Sequence, residues 1–219
     1  MCGRFAAVAS PEIIKRYFHL NNCPDYQTSY NIAPSQQIPI ITEKIHQREM
    51  YFANWGFKPA WAKADTRLAP FNARIETIFT NRLFKSAIKY QRCIIPASGY
   101  FEWQKTTHPK QPYFIHQRHS SITLLAGIYS EVNDNFTVAI LTCAAHPKLS
   151  FIHSRMPLIL SEASWDSWIT EDSFSENDIE QAMERLMKID FEFWPVTPRM
   201  SSARFNQLEA VVSLKRENE

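Results

Sequence analysis

Short apolar runs broken by turn residues dominate the chain, the signature of a protein built mainly from strands. The runs QIPIIT (37–42) and REMYFANW (48–55) predict two strands of a hairpin. Further on, RCIIPA, GYFEW, PYFIH, ITLLAGIY, FTVAILTCAA and MPLIL predict closely spaced short strands, and FEFWPV (191–196) predicts a late one. So many short strands imply a sheet folded over into a barrel-like form, expected to be antiparallel.

Four segments carry helical signals instead. SPEIIKRYFHL (10–20) has Ser10 to cap, Pro11 in the first turn, Glu12 to meet the dipole, and Ile13, Ile14, Tyr17 and Phe18 for one face. ETIFTNRLFKSAIKY (76–90) spaces Ile78, Leu83, Phe84 and Ile88 at helical intervals. SEASWDSWI and SENDIEQAMERLMK predict two more helices, the second with a Ser175…Asp178 capping box. A loop rich in Trp and Pro spans 55–70. The expectation is one α+β, β-rich domain over residues 1–219 with peripheral helices and a frayed tail after about 212.

Composition narrows the function classes. At 219 residues, 45% hydrophobic and 21% charged, the chain reads as an ordinary folded domain. A net charge of +2 advertises no nucleic-acid binder, so any anion site must come from local arginines. No apolar run is long enough for a membrane span and no signal peptide is present, which predicts a cytoplasmic address. Cys2, Cys23, Cys93 and Cys143 form no C-x-x-C pair, so free thiols are expected, with Cys93 and Cys143 packing as small hydrophobes. His116 and His119 lack a third ligand nearby, so no metal site is expected.

Five places can carry chemistry. Once Met1 is removed, Cys2 presents an amine (pKa about 7.7–8.0) and a thiol (about 8.5) on adjacent carbons. That pair captures an aldehyde carbon twice, as an imine and then as a five-membered thiazolidine, with closure favoured by its intramolecularity. In PFNARIET, Asn72 and Arg74 alternate with apolar neighbours and can point one way; by themselves they serve equally as a turn residue and a surface charge. Glu102 lies between Phe101 and Trp103, where apolar surroundings suit proton transfer and a solvent-facing strand edge is the bland alternative. His153 and Arg155 fall on one face at a strand start, a proton shuttle beside an anion contact or two unremarkable polar residues. In NWGFKPAWAK, Trp55 and Trp61 interleave with Lys58 and Lys63, a pattern suited to stacked bases or simply to a core.

Together MCGRF, YNIAPSQ, WGFKPAWA, NARIET, RCIIPASGYFEW, LLAGIY and IHSRMPLIL resemble the SOS-response-associated peptidase family, also called the abasic-site processing proteins. The resemblance implies a β-rich α+β fold with a basic channel for single-stranded DNA, and covalent capture of abasic sites by an N-terminal cysteine. On matching positions it implies Cys2 as nucleophile, Asn72 as a positioner, Glu102 as general acid/base and His153 as the aid to sugar opening. It implies Arg4, Arg74, Arg82 and Arg155 as phosphate contacts and Trp61 as a base stacker. Autocatalytic removal of Met1 and lyase chemistry belong to the same implied activity, with no cofactor, and with abasic single-stranded DNA as partner of a monomer. Ala62 stands where many members carry a second tryptophan, and Ser201 and Ser202 replace an asparagine-rich element, so no site is expected in 196–206. A peptide hydrolase using Cys2, or a single-strand binder without chemistry, remain the competing classes.

Overall fold

The computed structural model describes residues 2–62, 69–105, 109–170 and 174–214. Met1, Lys63 and the tail from 215 onward therefore lie outside the described residues. Two sheets carry the fold. The first, of five strands, runs in the order β13 (Phe191–Pro195), β8 (Gln111–Gln117), β7 (Gly99–Gln104), β1 (Phe5–Ala7) and β2 (Ser29–Ile32). The second contains β3 (Gln37–Lys44), β4 (Gln47–Trp55), β5 (Asn72–Arg74), β6 (Arg92–Ala97), β9 (Thr123–Val132), β10 (Asn135–Ala144), β11 (Arg155–Pro157) and β12 (Ile159–Leu160). Pairing of β9 with β10 closes β10-β4-β3-β6-β9 into a ring, in keeping with the folded-over sheet expected.

The antiparallel expectation needs one correction. β4 and β5 both run parallel to β10, at Ala53–Trp55 against Phe136–Val138 and at Asn72–Arg74 against Ile140–Thr142. The chain leaves β4 at Gly56 and comes back as β5, one step further along the same neighbour. Phe57 N–H donates to Pro70 O at the neck of this excursion (2.9 Å), so Trp61 rides on a loop that erupts beside the β10 strand.

The predicted hairpin forms as β3–β4, its two-residue turn placing Ile45 and His46 at positive φ. β9 and β10 are joined likewise by Asn133–Asp134, whose short polar side chains tolerate that conformation. Helix α1 (Pro11–Phe18) has its Ser10 cap, and His19 closes it in the left-handed conformation. Ile14 and Phe18 are buried as expected, but Ile13 stays 41% exposed. The long helix expected over 76–90 is absent; only a 3₁₀ turn at Ile75–Thr77 and α2 (Ala87–Tyr90) form. Asn81 Oδ1 accepts from Leu83 N–H (2.9 Å) and Thr80 Oγ1 donates to Thr77 O (3.2 Å). Leu83 N–H thus goes to a side chain instead of to Phe79 O, while Thr77 O still accepts from Asn81 N–H (2.8 Å), so single turns form in place of a continuous helix. α3 (Trp165–Thr170) and α4 (Glu176–Leu186) appear where predicted, the latter with its Ser175–Asp178 box. No described helix is long and apolar enough to cross a membrane.

The main core fills the space between the sheets. A smaller cluster of Ala6, Phe101, Phe114, Val196, Met200 and Ala210 covers the outer face of the five-stranded sheet. The C-terminal segment is therefore part of the packing: Val196, Met200 and Ala210 are fully buried, and Leu214 N–H still donates to Pro195 O (2.9 Å).

Candidate active site

The start of the chain is threaded between two strands of the five-stranded sheet, one place in from its edge. β1 lies between β2 and β7, with Phe5 opposite Tyr100 and Ala6 opposite Gly99. Phe101 N–H donates to Arg4 O (2.9 Å), which extends that register and brings Gly3 level with Glu102. Alternation along β7 sends Tyr100 and Glu102 to one face and Phe101 and Trp103 to the other. Phe101 joins the outer cluster and Tyr100 the main core, so Glu102, only 4% exposed, faces inward beside the chain's beginning. Gly99 lets β8 pack closely on the other edge of β7: a Cβ there would lie 2.5 Å from the Phe114 ring and 2.7 Å from Ile115 O.

Aromatic packing fixes the second wall. Phe5 meets Trp55 edge-on (5.3 Å), Trp55 meets Phe71 (6.0 Å), and Trp55 Nε1–H donates to Phe71 O (2.8 Å). The next residue is Asn72, whose Nδ2–H donates to Cys2 O at 2.8 Å. A bond across 70 positions thereby pins the nucleophilic residue named from sequence to the NAR motif. Asn72 Oδ1 is buried and accepts no hydrogen bond, so an acceptor stands open next to the pinned residue.

Electrostatics tie in the remaining two residues. Burial pushes the Cys2 thiol far above its usual range, and the Glu102 charge raises it further, while the positive amino terminus and the Arg4 backbone N–H act in the opposite sense. At neutral pH the sulfur is therefore a thiol, and forming a thiolate needs a local proton acceptor. Burial lowers the His153 pKa, with Glu102 raising it and the amino terminus lowering it. Arg155 N–H donates to His153 Nδ1 (2.9 Å), and the same ring nitrogen lies 3.2 Å from Arg155 O, so the ring is held by the backbone of its own strand start. Cys2, Asn72, Glu102 and His153 are thus brought together.

The cationic residues are less uniform. Arg74 and Arg82 are exposed, and Trp61 is 68% exposed on its loop. Arg155 is already engaged: Nη1 and Nη2 form a two-pronged pair with Glu76 (Nη2–Oε2 3.0 Å), and Nη2 also donates to Thr142 O (2.8 Å). Arg4 is half-buried and reaches Asn31 Oδ1 and the Met200 and Ser201 carbonyls at 3.3–3.5 Å. An incoming phosphate must compete with those partners.

Three participants escaped the sequence reading. Asn31 is 1% exposed and its Nδ2 donates to Met200 O, Ser202 O and Phe205 O at 2.8, 3.0 and 2.8 Å. Trp103 Nε1–H donates to Ser201 Oγ (3.0 Å), so the segment set aside at 196–206 is fastened against the site strand. Thr142 is buried beneath Arg155. Asn31 sits in the quoted YNIAPSQ motif, the one signal that could have found it; a buried side chain contacting bare carbonyls leaves no pattern in the partner sequence. All four cysteines are free, Cys93 and Cys143 buried as expected. His116 lies 3.5 Å from Glu192, and among the described residues no three His, Cys, Asp or Glu side chains form a metal-holding group.

A family model described as SOS response associated peptidase matches residues 1–203. The chain is 29% identical to the abasic site processing protein YoqW of Bacillus subtilis over 97% of this chain and all of that one. It is 32% identical to the abasic site processing protein YedK of Escherichia coli over 78% and 81% of the two chains. A solved structure of a Bacteroides thetaiotaomicron protein superposes with a TM-score of 0.82 at 24% identity, covering 98% of this chain and 100% of that one, which establishes a shared fold.

Proposed function

Because the chain belongs to the SOS response-associated peptidase family, we propose that it senses abasic sites in single-stranded DNA and captures them covalently through Cys2. The observation that carries this reading is the convergence on one chain end of an inward Glu102, a neutral His153 and the Asn72–Cys2 hydrogen bond.

The chemistry follows from those groups. With Met1 in place the Cys2 nitrogen is an amide, and no imine can form. Removal can use the same sulfur: attack on the Met1 carbonyl shifts the acyl group from nitrogen to sulfur, and water then cleaves the thioester, freeing the amine. The freed amine adds to the aldehyde of an opened abasic sugar and loses water to give an imine. The thiol then adds to the imine carbon, its proton passing to Glu102 and on to the nitrogen, and closes the thiazolidine. One water is released overall. His153 hydrogen-bonds the ring oxygen as the sugar opens. Asn72 holds the Cys2 carbonyl while its open Oδ1 accepts from the amine or a sugar hydroxyl.

Before ring closure the imine acidifies the neighbouring sugar C–H. Loss of that proton expels the adjacent phosphate, which is lyase chemistry; thiazolidine closure removes the imine and protects the strand. A base-free nucleotide is cheap to draw out of a stack, and arginines that touch only the backbone leave recognition independent of sequence.

The test is direct. Mature protein incubated with a single-stranded oligonucleotide bearing one abasic site yields a heat-stable adduct, and Cys2→Ala yields none. Equal adduct from Cys2→Ala would overturn the proposal. Intact mass, read in parallel, shows Met1 absent from the reactive fraction.

A further inference from the structure

Beside the proposed site lies an aromatic cluster that none of the steps above uses. Tyr113 on β8 stands directly across from Glu102, and opposed residues of an antiparallel pair share a face. Ile115, two residues on, pairs with Phe193 of β13, so Phe193 belongs to that face as well. Phe151, two residues before His153, completes the group. Ring centroids are 5.8 Å apart for Tyr113–Phe151, 5.5 Å for Phe151–Phe193 and 6.4 Å for Tyr113–Phe193, with mutual tilts of 88°, 56° and 59°. Phe151 is 46% exposed, whereas its neighbour Ile152 is 2% exposed and joins the main core. The backbone is therefore anchored, and a ring braced by two others still presents nearly half its surface to solvent.

We infer that Phe151, braced by Tyr113 and Phe193, is a stacking platform for the base of the nucleotide next to the abasic site. This rests on the proposed function and extends it to a subsite. A DNA strand that delivers its bare sugar to Cys2, Glu102 and His153 carries an intact base one nucleotide away, and that base needs a π-surface to replace the stacking it lost. The platform adjoins the proposed site through both of its chain connections, by register to Glu102 and by sequence to His153. Lys105, whose charge also acts on His153, adds a cation for the same stretch of backbone. Stacking tolerates every base, consistent with recognition that reads no sequence.

The experiment uses single-stranded oligonucleotides containing a tetrahydrofuran abasic analogue, which binds without reacting. 2-Aminopurine is placed on its 5′ side or its 3′ side, or that neighbour is replaced by a second analogue. For the mature wild type, the 2-aminopurine signal changes on binding from one of the two sides. Phe151→Ala abolishes that change and weakens binding about 5- to 100-fold, the range for loss of one stacked base. Phe151→Trp preserves both, and with the doubly abasic oligonucleotide wild type and Phe151→Ala bind alike. Thermal unfolding of Phe151→Ala within about 3 °C of wild type excludes collapse of the cluster; a larger drop shifts the decision to Phe151→Trp and to the base-dependence of wild type itself. Equal affinities and equal signals for wild type and Phe151→Ala overturn the platform, as they would if the ring served a protein partner. Adduct formation with a true abasic oligonucleotide, measured alongside, separates that failure from failure of the covalent reading.

Discussion

Asn31 offers the sharpest separation between a fastened and an unfastened site wall. Its two Nδ2 hydrogens serve three carbonyls, at Met200, Ser202 and Phe205, from a side chain that is 1% exposed. Asn31→Ala removes donors while leaving acceptors behind. A net hydrogen bond is worth about 1 kcal/mol, and a stranded buried acceptor costs about 1–3 kcal/mol. Some of these carbonyls can turn to water because the segment's flanks are exposed, so the loss expected is about 2–4 kcal/mol. At about 2–4 °C per kcal/mol for a chain of this size, the melting temperature drops about 5–15 °C. Asn31→Asp keeps the shape but turns a carboxylate on three carbonyls and destabilises more than Ala. Hydrogen exchange localises the damage: amides of 200–205 lose protection first, since Met200, Ser202 and Phe205 N–H groups close the turns that Asn31 holds. Arg4 and Trp103 lose their seats on the same segment, so adduct yield falls with it. A melting temperature within about 1 °C of wild type for Asn31→Ala, or Asp more stable than Ala, would refute this account.

Other outcomes are equally concrete. Glu76→Gln frees Arg155 from its carboxylate partner and removes a negative charge beside the proposed phosphate contacts: affinity for single strands rises a few-fold at low salt, with a steeper salt dependence in anisotropy titrations, while stability changes by less than about 1 kcal/mol because the pair is partly exposed. Burial depresses the His153 pKa below its reference 6.5, so the folded state binds fewer protons than the unfolded state there; the stabilisation is complete above about 6.5 and is lost as pH falls through the folded value. Denaturant melts of wild type and His153→Gln should therefore differ in pH slope just below 6.5 and run in parallel above 7. Gly99→Ala drives a Cβ into Phe114 and a carbonyl oxygen, costing about 1–3 kcal/mol and shifting β7, which shows as a lower melting temperature together with slower adduct formation.

Sequence reading succeeded where one chain segment suffices to define a feature. Ser10–Pro11–Glu12 and Ser175–Asp178 announced their helices, since caps are local chemistry, and the alternation of 48–55 announced its strand. The four residues proposed for the site could be named because each sits in its own compact motif. The segment 76–90 misled because helical spacing of Ile78, Phe84 and Ile88 is also produced by successive turns over a core, and Asn81 and Thr80 decide between the two. Parallel pairing of β5 with β10 could not be read, because it depends on where the excursion over 56–71 returns and not on the strand's own residues. The roles of Asn31, Ser201 and Glu76 are relations between distant positions, and neither side of any pair is unusual alone.

The place of β1 between two strands has a bearing on how the site is assembled. Its flanking strands end at Ile32 and Gln104, so the second neighbour leaves the ribosome about a hundred residues after the first strand does. Until then one edge of β1 lacks its partner; afterwards the Cys2 side chain packs into the main core, with none of its surface exposed while Met1 precedes it. Glu102 therefore joins Cys2 only once β7 has been made, about a hundred residues after the cysteine itself.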